Sequence, residues 1–367
     1  MIKPIIFLIT TMLVFFNSAG AEKNDLQRKI IPAITPGRLV DTITMKKIYE
    51  EVKTPYKYGV IIKSNSKEDL VDCVNIFRYK THWYMIYVES KKSIGYQTLL
   101  ARSEDLLSWE KMGTVLSFTQ PGKWDAWQAA ASVALCDYQW GGSYNLEKYD
   151  NKYWLSYIGG ALQGYETDPL SIGMAWTKKP NQAKEWVRIK ANPVLSPFQN
   201  DVRSFERVTL YKSQIIHDKS NSLGWPFVMY YNGKIKNGYE KIGMAVSKDM
   251  INWIRYGQDA VIANGVEQER GISGDPQIVK IGEVWVMFYF GAFWKPGAFD
   301  TFACSYDLVN WTKWHGKHLV APSESYDFKY AHKPWVIKWK GVVYHFYCAV
   351  GSEGRSIALA TSKDLKH

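Results

Sequence analysis

The sequence has 367 residues, with 46 Lys and Arg against 35 Asp and Glu, which gives a formal net charge of +11. Its 46% apolar content and its 14 prolines exclude a globally disordered chain. Only 22% of the residues are charged and no Lys/Arg block is present, so the basic charge by itself indicates no nucleic-acid partner. The unusual figure is the aromatic content of 16 Trp, 24 Tyr and 15 Phe, because a plain core does not need so many.

The first 21 residues are expected to form a secretory signal peptide. Lys3 gives the positive start, residues 5–16 are almost continuously apolar, and Ala19-Gly20-Ala21 is typical of a cleavage site. The apolar run is short for a membrane span, and no later stretch is longer. We therefore expect an exported mature chain of residues 22–367, periplasmic or extracellular, as in a Gram-negative bacterium.

The cysteines show no CxxC or Cys/His spacing, which argues against a zinc site. They are Cys73, Cys136, Cys304 and Cys348. Each lies among apolar or small residues, so buried thiols are the favoured interpretation. A disulfide between two of them remains open.

A short phrase, Ser-x-Asp followed by Trp, recurs along the chain. It occupies residues 103–109, 247–253 and 305–311, with a truncated copy at 362–365 and a degenerate one near 172–186. Upstream of each copy lie two strand-like stretches, the second of them rich in aromatic residues. Because Ser and Asp side chains cap tight turns, the phrase indicates a turn whose Trp begins a further strand.

Five copies of a four-stranded unit predict an all-β fold, a five-bladed β-propeller that forms one domain. The fifth copy stops at His367, before its outer strand. A closed ring needs that strand, so we expect a stretch within residues 30–62 to complete the last blade.

Ionisable residues stand just before four of the five predicted inner strands. They are Asp72, Glu206, Asp275 and the pair His332-Lys333. In a propeller these positions converge on the mouth of the central depression, where ligands bind. Charges that converge on one axis cost desolvation and mutual repulsion, and proteins usually retain such an arrangement for a functional site.

Two carboxylates across an axial pocket suit the hydrolysis of a glycosidic bond. One of them protonates the leaving oxygen, and the other activates water or attacks the sugar. Aromatic side chains can stack on the C–H faces of sugars, which gives part of the aromatic excess a use. The candidates for this stacking are Trp124, Trp127, Phe293 and Trp294.

Two stretches, residues 274–289 and 331–350, resemble secreted glycosylases of Bacteroidetes. Together with the carboxylates before the inner strands, they are similar to the family 43 glycoside hydrolases and to the relatives in families 32, 62, 117 and 130. The resemblance covers roughly residues 55–365. It implies a secreted glycoside hydrolase that cleaves terminal bonds of a complex polysaccharide or oligosaccharide, with inversion. No cofactor is then required, although a central ion such as calcium remains open.

The resemblance also implies roles for the carboxylates. Asp72 would be the general base and Glu206 the general acid. The third carboxylate of the family pattern is missing, because Gly141-Gly142 stands at its position in the second repeat. Asp275 is the first choice for this pKa-tuning role and Asp125 the second, and a shifted pairing of Glu206 with Asp275 remains open.

Further residues are expected to bind the substrate, a carbohydrate that the basic charge would allow to be an acidic glycan. They are Asp125, Trp127, Arg207, Arg270, Trp294, His332 and Lys333. Three alternatives remain open: a glycoside phosphorylase of the family 130 type, a glycan-binding propeller without catalysis, and a protein-interaction scaffold.

Overall fold

The computed structural model describes residues 38–66, 68–236, 238–263, 271–293 and 297–366. The expected signal peptide at residues 1–21 lies outside these described residues, as do Arg270 and Trp294. The described ranges contain one α-helix and twenty β-strands. The expectation of an all-β fold is therefore confirmed.

The helix and the first strands are α1 Thr42–Val52, β1 Tyr56–Ile62, β2 Leu70–Tyr79, β3 His82–Ser90, β4 Gln97–Ser103, β5 Glu110–Leu116, β6 Gln128–Val133, β7 Tyr153–Gly160, β8 Leu170–Thr177 and β9 Val187–Arg188. The remaining strands are β10 Thr209–His217, β11 Phe227–Lys234, β12 Glu240–Ser247, β13 Trp253–Tyr256, β14 Ile272–Ile281, β15 Val284–Ala292, β16 Ala298–Ser305, β17 Thr312–Lys313, β18 Tyr330–Trp339, β19 Val342–Gly351 and β20 Gly354–Thr361.

The strands form antiparallel groups of four. Four groups are consecutive meanders, β2 to β5, β6 to β9, β10 to β13 and β14 to β17. The third and fourth groups meet at one parallel pair, Glu240 with Ile272. In the last group, β18, β19 and β20 are joined by β1 from the N-terminal part of the chain. This strand supplies the outer position that the fifth sequence repeat lacks.

The Ser-x-Asp phrase caps the turn between the third and fourth strands of a group. Ser103 Oγ accepts hydrogen bonds from the backbone N–H groups of Asp105 and Leu106, and Asp105 Oδ1 accepts two more from the following residues. Trp109 Nε1 then donates to the carbonyl oxygen of Leu106 at 3.2 Å. The copy at 247–253 repeats these contacts. The copy at 305–311 repeats the Asp307 N–H bond to Ser305 Oγ, the two bonds to Asp307 Oδ1 and the Trp311 bond.

The first strands of the groups lie side by side and are tied to one another by polar contacts. The Val133 N–H donates to Asn75 Oδ1, which joins β6 to β2, and the Gln277 side chain bonds both backbone groups of Val336, which joins β14 to β18. Trp335 Nε1 donates to the Ile76 carbonyl oxygen at 3.1 Å and joins β18 to β2. These inner strands therefore fix the relative positions of the side chains that they carry.

Helix α1 packs its apolar face against the fourth and fifth groups. Met45, Ile48 and Val52 are buried in a cluster with residues of β14, β15, β16, β18 and β19. Asp41 caps the helix, because its Oδ1 accepts hydrogen bonds from the N–H groups of Ile43 and Thr44 at 2.9 Å. None of the helices in the described part of the chain is long and apolar enough to cross a membrane.

Candidate active site

A cavity of about 280 Å³ opens where the inner strands β10, β14 and β18 begin. Its polar lining comprises Glu166, Glu240, Asp275, Lys333 and Arg355, together with tyrosine, asparagine and histidine side chains. Its apolar lining includes Ile272, Phe290, Phe293, Ala292 and Ala298. Such a concave site with a few convergent polar groups is suited to a small ligand or to one end of a larger one.

Irregular strand pairing orients three residues near the starts of the inner strands. The pairing of β2, β14 and β18 with their neighbours skips two residues near the start of each strand, as at a β-bulge. Within these bulges Cys73, Asp275 and Lys333 adopt positive φ angles of 52°, 51° and 63°. Non-glycine residues are uncommon there, and such strain is concentrated at functional sites.

Asp72 is completely buried and contacts residues of the cavity lining without lining the cavity itself. Its Oδ2 accepts hydrogen bonds from Lys333 Nζ at 2.8 Å and Arg355 Nη1 at 3.0 Å, and the hydroxyls of Tyr96 and Tyr165 lie at 3.3 and 3.4 Å. Burial alone would raise the pKa of Asp72, but the charges of Lys333 and Arg355 outweigh it and hold that pKa well below its usual range. Asp72 is therefore an ionised anchor for two cationic side chains that line the cavity.

Glu166 follows β7 in the loop before β8 and is half-buried at the cavity wall. Its Oε1 accepts hydrogen bonds from Lys333 Nζ at 3.0 Å and from the Tyr96 hydroxyl at 3.2 Å. Lys333 thus bridges Glu166 and Asp72 through an ion pair with each.

Glu240, the first residue of β12, is buried at the cavity wall and forms no ion pair among the described residues. Its Oε2 accepts a hydrogen bond from Asn232 Nδ2 at 3.2 Å. Burial, reinforced by the negative charges of Glu166 and Asp275, raises the pKa of Glu240 to about 8. Glu240 therefore carries a proton at neutral pH.

Asp275 of β14 is buried and lines the cavity. Its Oδ2 is 3.7 Å from Lys212 Nζ and 3.9 Å from Cys73 Sγ. Burial raises the pKa of Asp275, and the charges of Lys212 and Lys333 oppose this rise. The ammonium group of Lys212 is itself buried, without a hydrogen-bond acceptor among the described residues.

His332 also lines the cavity. Its Nδ1 lies 3.1 Å from the Cys348 carbonyl oxygen, and because a carbonyl only accepts, Nδ1 carries the proton of the neutral ring. Burial and the positive charges of Arg355 and Lys333 lower the pKa of His332 to about 3. The ring is therefore neutral and leaves Nε2 as an acceptor.

The structure places Glu206 away from the cavity, which differs from the sequence expectation of a general acid there. The residue lies in a short 3₁₀ turn before β10 and is completely buried. Its carboxylate accepts hydrogen bonds from Arg203 Nε at 2.8 Å, Arg255 Nε at 2.6 Å and the Tyr231 hydroxyl at 2.7 Å. Burial alone would raise the pKa of Glu206, but the two guanidinium charges lower it. An ionised carboxylate held in this way is a poor proton donor.

Three of the expected substrate-binding residues do not line the cavity. Arg207 is exposed beside a separate surface depression. Asp125 is buried, where it accepts a hydrogen bond from the Tyr157 hydroxyl at 2.9 Å and pairs with Arg188. Trp127 is half-buried and its ring lies 5.5 Å from that of Phe118. Arg270 and Trp294 lie outside the described residues.

The cavity contains residues that the sequence analysis missed. Besides Glu166 and Glu240, they include Arg355, Tyr165, Tyr211 and Asn232. Glu166, Glu240 and Arg355 lie at the junction between the second and third strands of a group. Because an antiparallel chain returns to its starting edge after two strands, these junctions face the same mouth as the inner-strand starts, and this is the signal that could have found them.

The described ranges hold no evident metal site. No cluster of three or more His, Cys, Asp or Glu side chains within them has the arrangement that a metal ion needs. The four cysteines are free thiols, and Cys73, Cys304 and Cys348 are buried.

Comparison with known proteins agrees with the fold. Structures of a family 43 glycoside hydrolase, a family 117 glycoside hydrolase from Zobellia galactanivorans and a family 130 enzyme match with TM-scores of 0.59, 0.58 and 0.60. Their identities of 16%, 14% and 12% show a shared fold. The fold is that of the propeller-type glycosidases.

Two solved structures are much more similar. One is a complex of BT0996 with RGII and another is described as a glycoside hydrolase, and each matches with a TM-score of 0.84 and 46% identity, over 89% of this chain and 96% of the other. The chain therefore belongs to the glycoside hydrolases. The likeness in fold to families 43, 117 and 130 expected from the sequence is confirmed. The protein is an enzyme.

A curated relative is more distant. A 1,2-β-oligomannan phosphorylase from a Thermoanaerobacter species is 32% identical over 136 residues. The match spans 34% of this chain and 43% of that protein. No family model matches the chain.

Proposed function

We propose that the chain is a single five-bladed β-propeller, spanning residues 22–367 after export, that hydrolyses a terminal glycosidic bond of a complex glycan. The five antiparallel groups of strands support the blade number, and the ties between inner strands support a closed ring. The compact cavity favours an end of a glycan over its middle.

The observation that carries the catalytic proposal is the contrast between two carboxyl groups of one cavity. Glu240 is protonated at neutral pH, whereas Glu166 is held in an ion pair with Lys333. Two carboxyl groups that share one site but have different environments are typical of an acid and its partner. Glu240 is the general acid that protonates the leaving oxygen, in place of Glu206.

Glu166 is the second carboxylate, which activates water or attacks the anomeric carbon. Asp72 holds Lys333 and Arg355 in place, a positioning role in place of the general-base role expected from the sequence. Asp275 keeps its expected role, because its negative charge helps to raise the pKa of Glu240.

The substrate of this chain is a glycan of the RGII type. The support is the 46% identity with the protein solved in complex with RGII. The exposed Phe293 at the cavity mouth offers an aromatic face for a sugar ring.

Phosphorolysis is the second candidate, favoured by the partial match to an oligomannan phosphorylase. A phosphorylase needs cations that are free to bind phosphate. In this cavity Lys333 pairs with Asp72 and Glu166, and Arg355 pairs with Asp72. These pairings support hydrolysis.

The test uses the purified full-length chain on RGII and on a panel of 4-nitrophenyl glycosides, with and without inorganic phosphate. We expect release of a free sugar at a rate that phosphate does not change, whereas a sugar phosphate formed only with phosphate would contradict hydrolysis. Glu240→Gln and Glu166→Gln should each lose at least about 100-fold in kcat, the range of general acid–base catalysis. NMR of the first anomer released checks the inverting course, which remains a prediction.

A further inference from the structure

Asn232 lies in β11 and is 1% exposed, yet it contributes to the cavity lining. Its amide oxygen Oδ1 accepts a hydrogen bond from the backbone N–H of Asp275 at 2.8 Å. Because a backbone N–H can only donate, the oxygen of the amide must face Asp275. The amino group Nδ2 then has to face Glu240, to which it donates at 3.2 Å.

This arrangement favours one oxygen of Glu240 as the site of the proton. Nδ2 donates to Oε2, and that oxygen therefore serves as the acceptor. The carbonyl oxygen of a neutral carboxyl group is its stronger acceptor, so the contact favours Oε2 as the carbonyl oxygen and Oε1 as the protonated one.

We propose that Asn232 is the positioning residue of the general acid, with the direction of its amide set by the Asp275 backbone N–H. The inference rests on the proposed role of Glu240. The bulge at Asp275 then has two roles. The same backbone conformation orients the Asp275 carboxylate toward the cavity and the Asp275 N–H toward Asn232.

The absence of a side chain at Gly274 leaves space for the contact between Asn232 and Asp275. A Cβ atom on Gly274 would lie 2.1 Å from Asn232 Nδ2, far inside van der Waals contact, so any larger residue displaces the amide. Glycine at this position therefore belongs to the same arrangement as Asn232 and Asp275.

Several neighbouring groups shift the pKa of Glu240, and the expected effect of a substitution depends on them. Glu166 and Asp275 raise the pKa of Glu240, whereas Lys234 and the hydrogen bond from Asn232 lower it. The Tyr211 hydroxyl also lies within the electrostatic reach of Glu240. Loss of the Asn232 hydrogen bond alone should therefore raise the pKa of Glu240.

The experiment measures the titration of Glu240 directly, without substrate, by ¹³C NMR of the full chain with glutamate labelled at the carboxyl carbon. The signal is assigned by its loss in Glu240→Gln. In Asn232→Leu we expect the pKa of Glu240 to rise by about one pH unit, the equivalent of one hydrogen bond to a charged group. The basic limb of kcat/KM should move upward by the same amount.

Asn75→Leu is the matched control. Asn75 is also a buried amide that bonds the backbone, but none of its hydrogen bonds reaches a carboxylate among the described residues. This variant should lower the melting temperature and leave the titration of Glu240 in place. Gly274→Ala provides a second route, because it displaces the Asn232 amide without removing it, and should shift the titration in the same direction.

The outcomes separate the inference from the proposed function. An unchanged titration of Glu240 in folded Asn232→Leu overturns the inference, and Gly274→Ala decides the matter if Asn232→Leu does not fold. Full activity of Glu240→Gln overturns the proposed acid role, whatever the titration shows.

Discussion

Replacing Glu206 by glutamine should unfold the protein more readily without removing its chemistry. The carboxylate is completely buried between Arg203 and Arg255, which are themselves 2% and 0% exposed. Glutamine has the same shape but removes the negative charge, and its amino group faces guanidinium donors. Removing one partner of a buried ion pair costs about 3–5 kcal/mol, because the remaining charge is left without compensation.

The contacts decide where in this range the value falls. Arg255 keeps Asp201, whose carboxylate lies at 2.8 Å, and Arg203 keeps the carbonyl oxygens of Tyr256 and Gly257. These partners satisfy hydrogen bonds, but only Asp201 offers a counter-charge. We therefore expect a loss of about 3 kcal/mol in the free energy of unfolding, near the lower end of that range.

Urea unfolding followed by tryptophan fluorescence measures the change, with Glu240→Gln as the control. Glu240 is buried without an ion pair among the described residues, so its replacement should cost little stability but most of the activity. The pKa of Glu206 is lowered in the folded state, and its contribution is therefore present above the unfolded pKa and lost as the pH falls through the folded value. The stability difference between wild type and Glu206→Gln should shrink in acid. A stable Glu206→Gln variant without activity would refute this reasoning and restore Glu206 as the acid.

Two further predictions concern lysines, the buried Lys212 and the half-buried Lys57. In Lys212→Met the pKa of Asp275 should rise further, because the opposing charge of Lys212 is lost. Asp275 should then carry less negative charge, so that the pKa of Glu240 falls and the basic limb of kcat/KM moves to lower pH. A pH–rate profile that does not move, or moves upward, speaks against this coupling. Lys57 of β1 pairs with the completely buried Asp327. Lys57→Met should therefore lower the free energy of unfolding, measured in urea, by about 3 kcal/mol. A loss below about 1 kcal/mol would contradict an important role of β1 in closing the last group of strands.

Much of the fold could be predicted from the sequence because its signals are local and repeated. The Ser-x-Asp phrase specifies a turn through contacts within a few residues, and the second strands are short continuous stretches of aromatic and other apolar residues. The start of an inner strand is likewise a local feature. Asp275, His332 and Lys333, which were predicted from it, all line the cavity.

The rest of the site depends on contacts that are distant in sequence. Glu206 stands close to an inner strand, but nothing local shows that Arg203 and Arg255 will enclose it, the latter from 49 positions further along the chain. Glu166 and Glu240 stand at junctions between second and third strands, which have no shared motif. The raised pKa of Glu240 comes from burial and from the charges of Glu166 and Asp275, and the ion pair of Glu166 comes from Lys333, so both depend on the assembled structure.

The leaving-group dependence of kcat/KM in Glu240→Gln tests the central claim most directly. A general acid is needed for poor leaving groups and dispensable for good ones. On the aryl glycoside series of the cleaved sugar, Glu240→Gln should hydrolyse the 2,4-dinitrophenyl glycoside at a rate close to wild type and lose at least about 100-fold on the unsubstituted phenyl glycoside. An equal loss on both substrates, or no loss on either, would contradict the assignment of Glu240 as the proton donor.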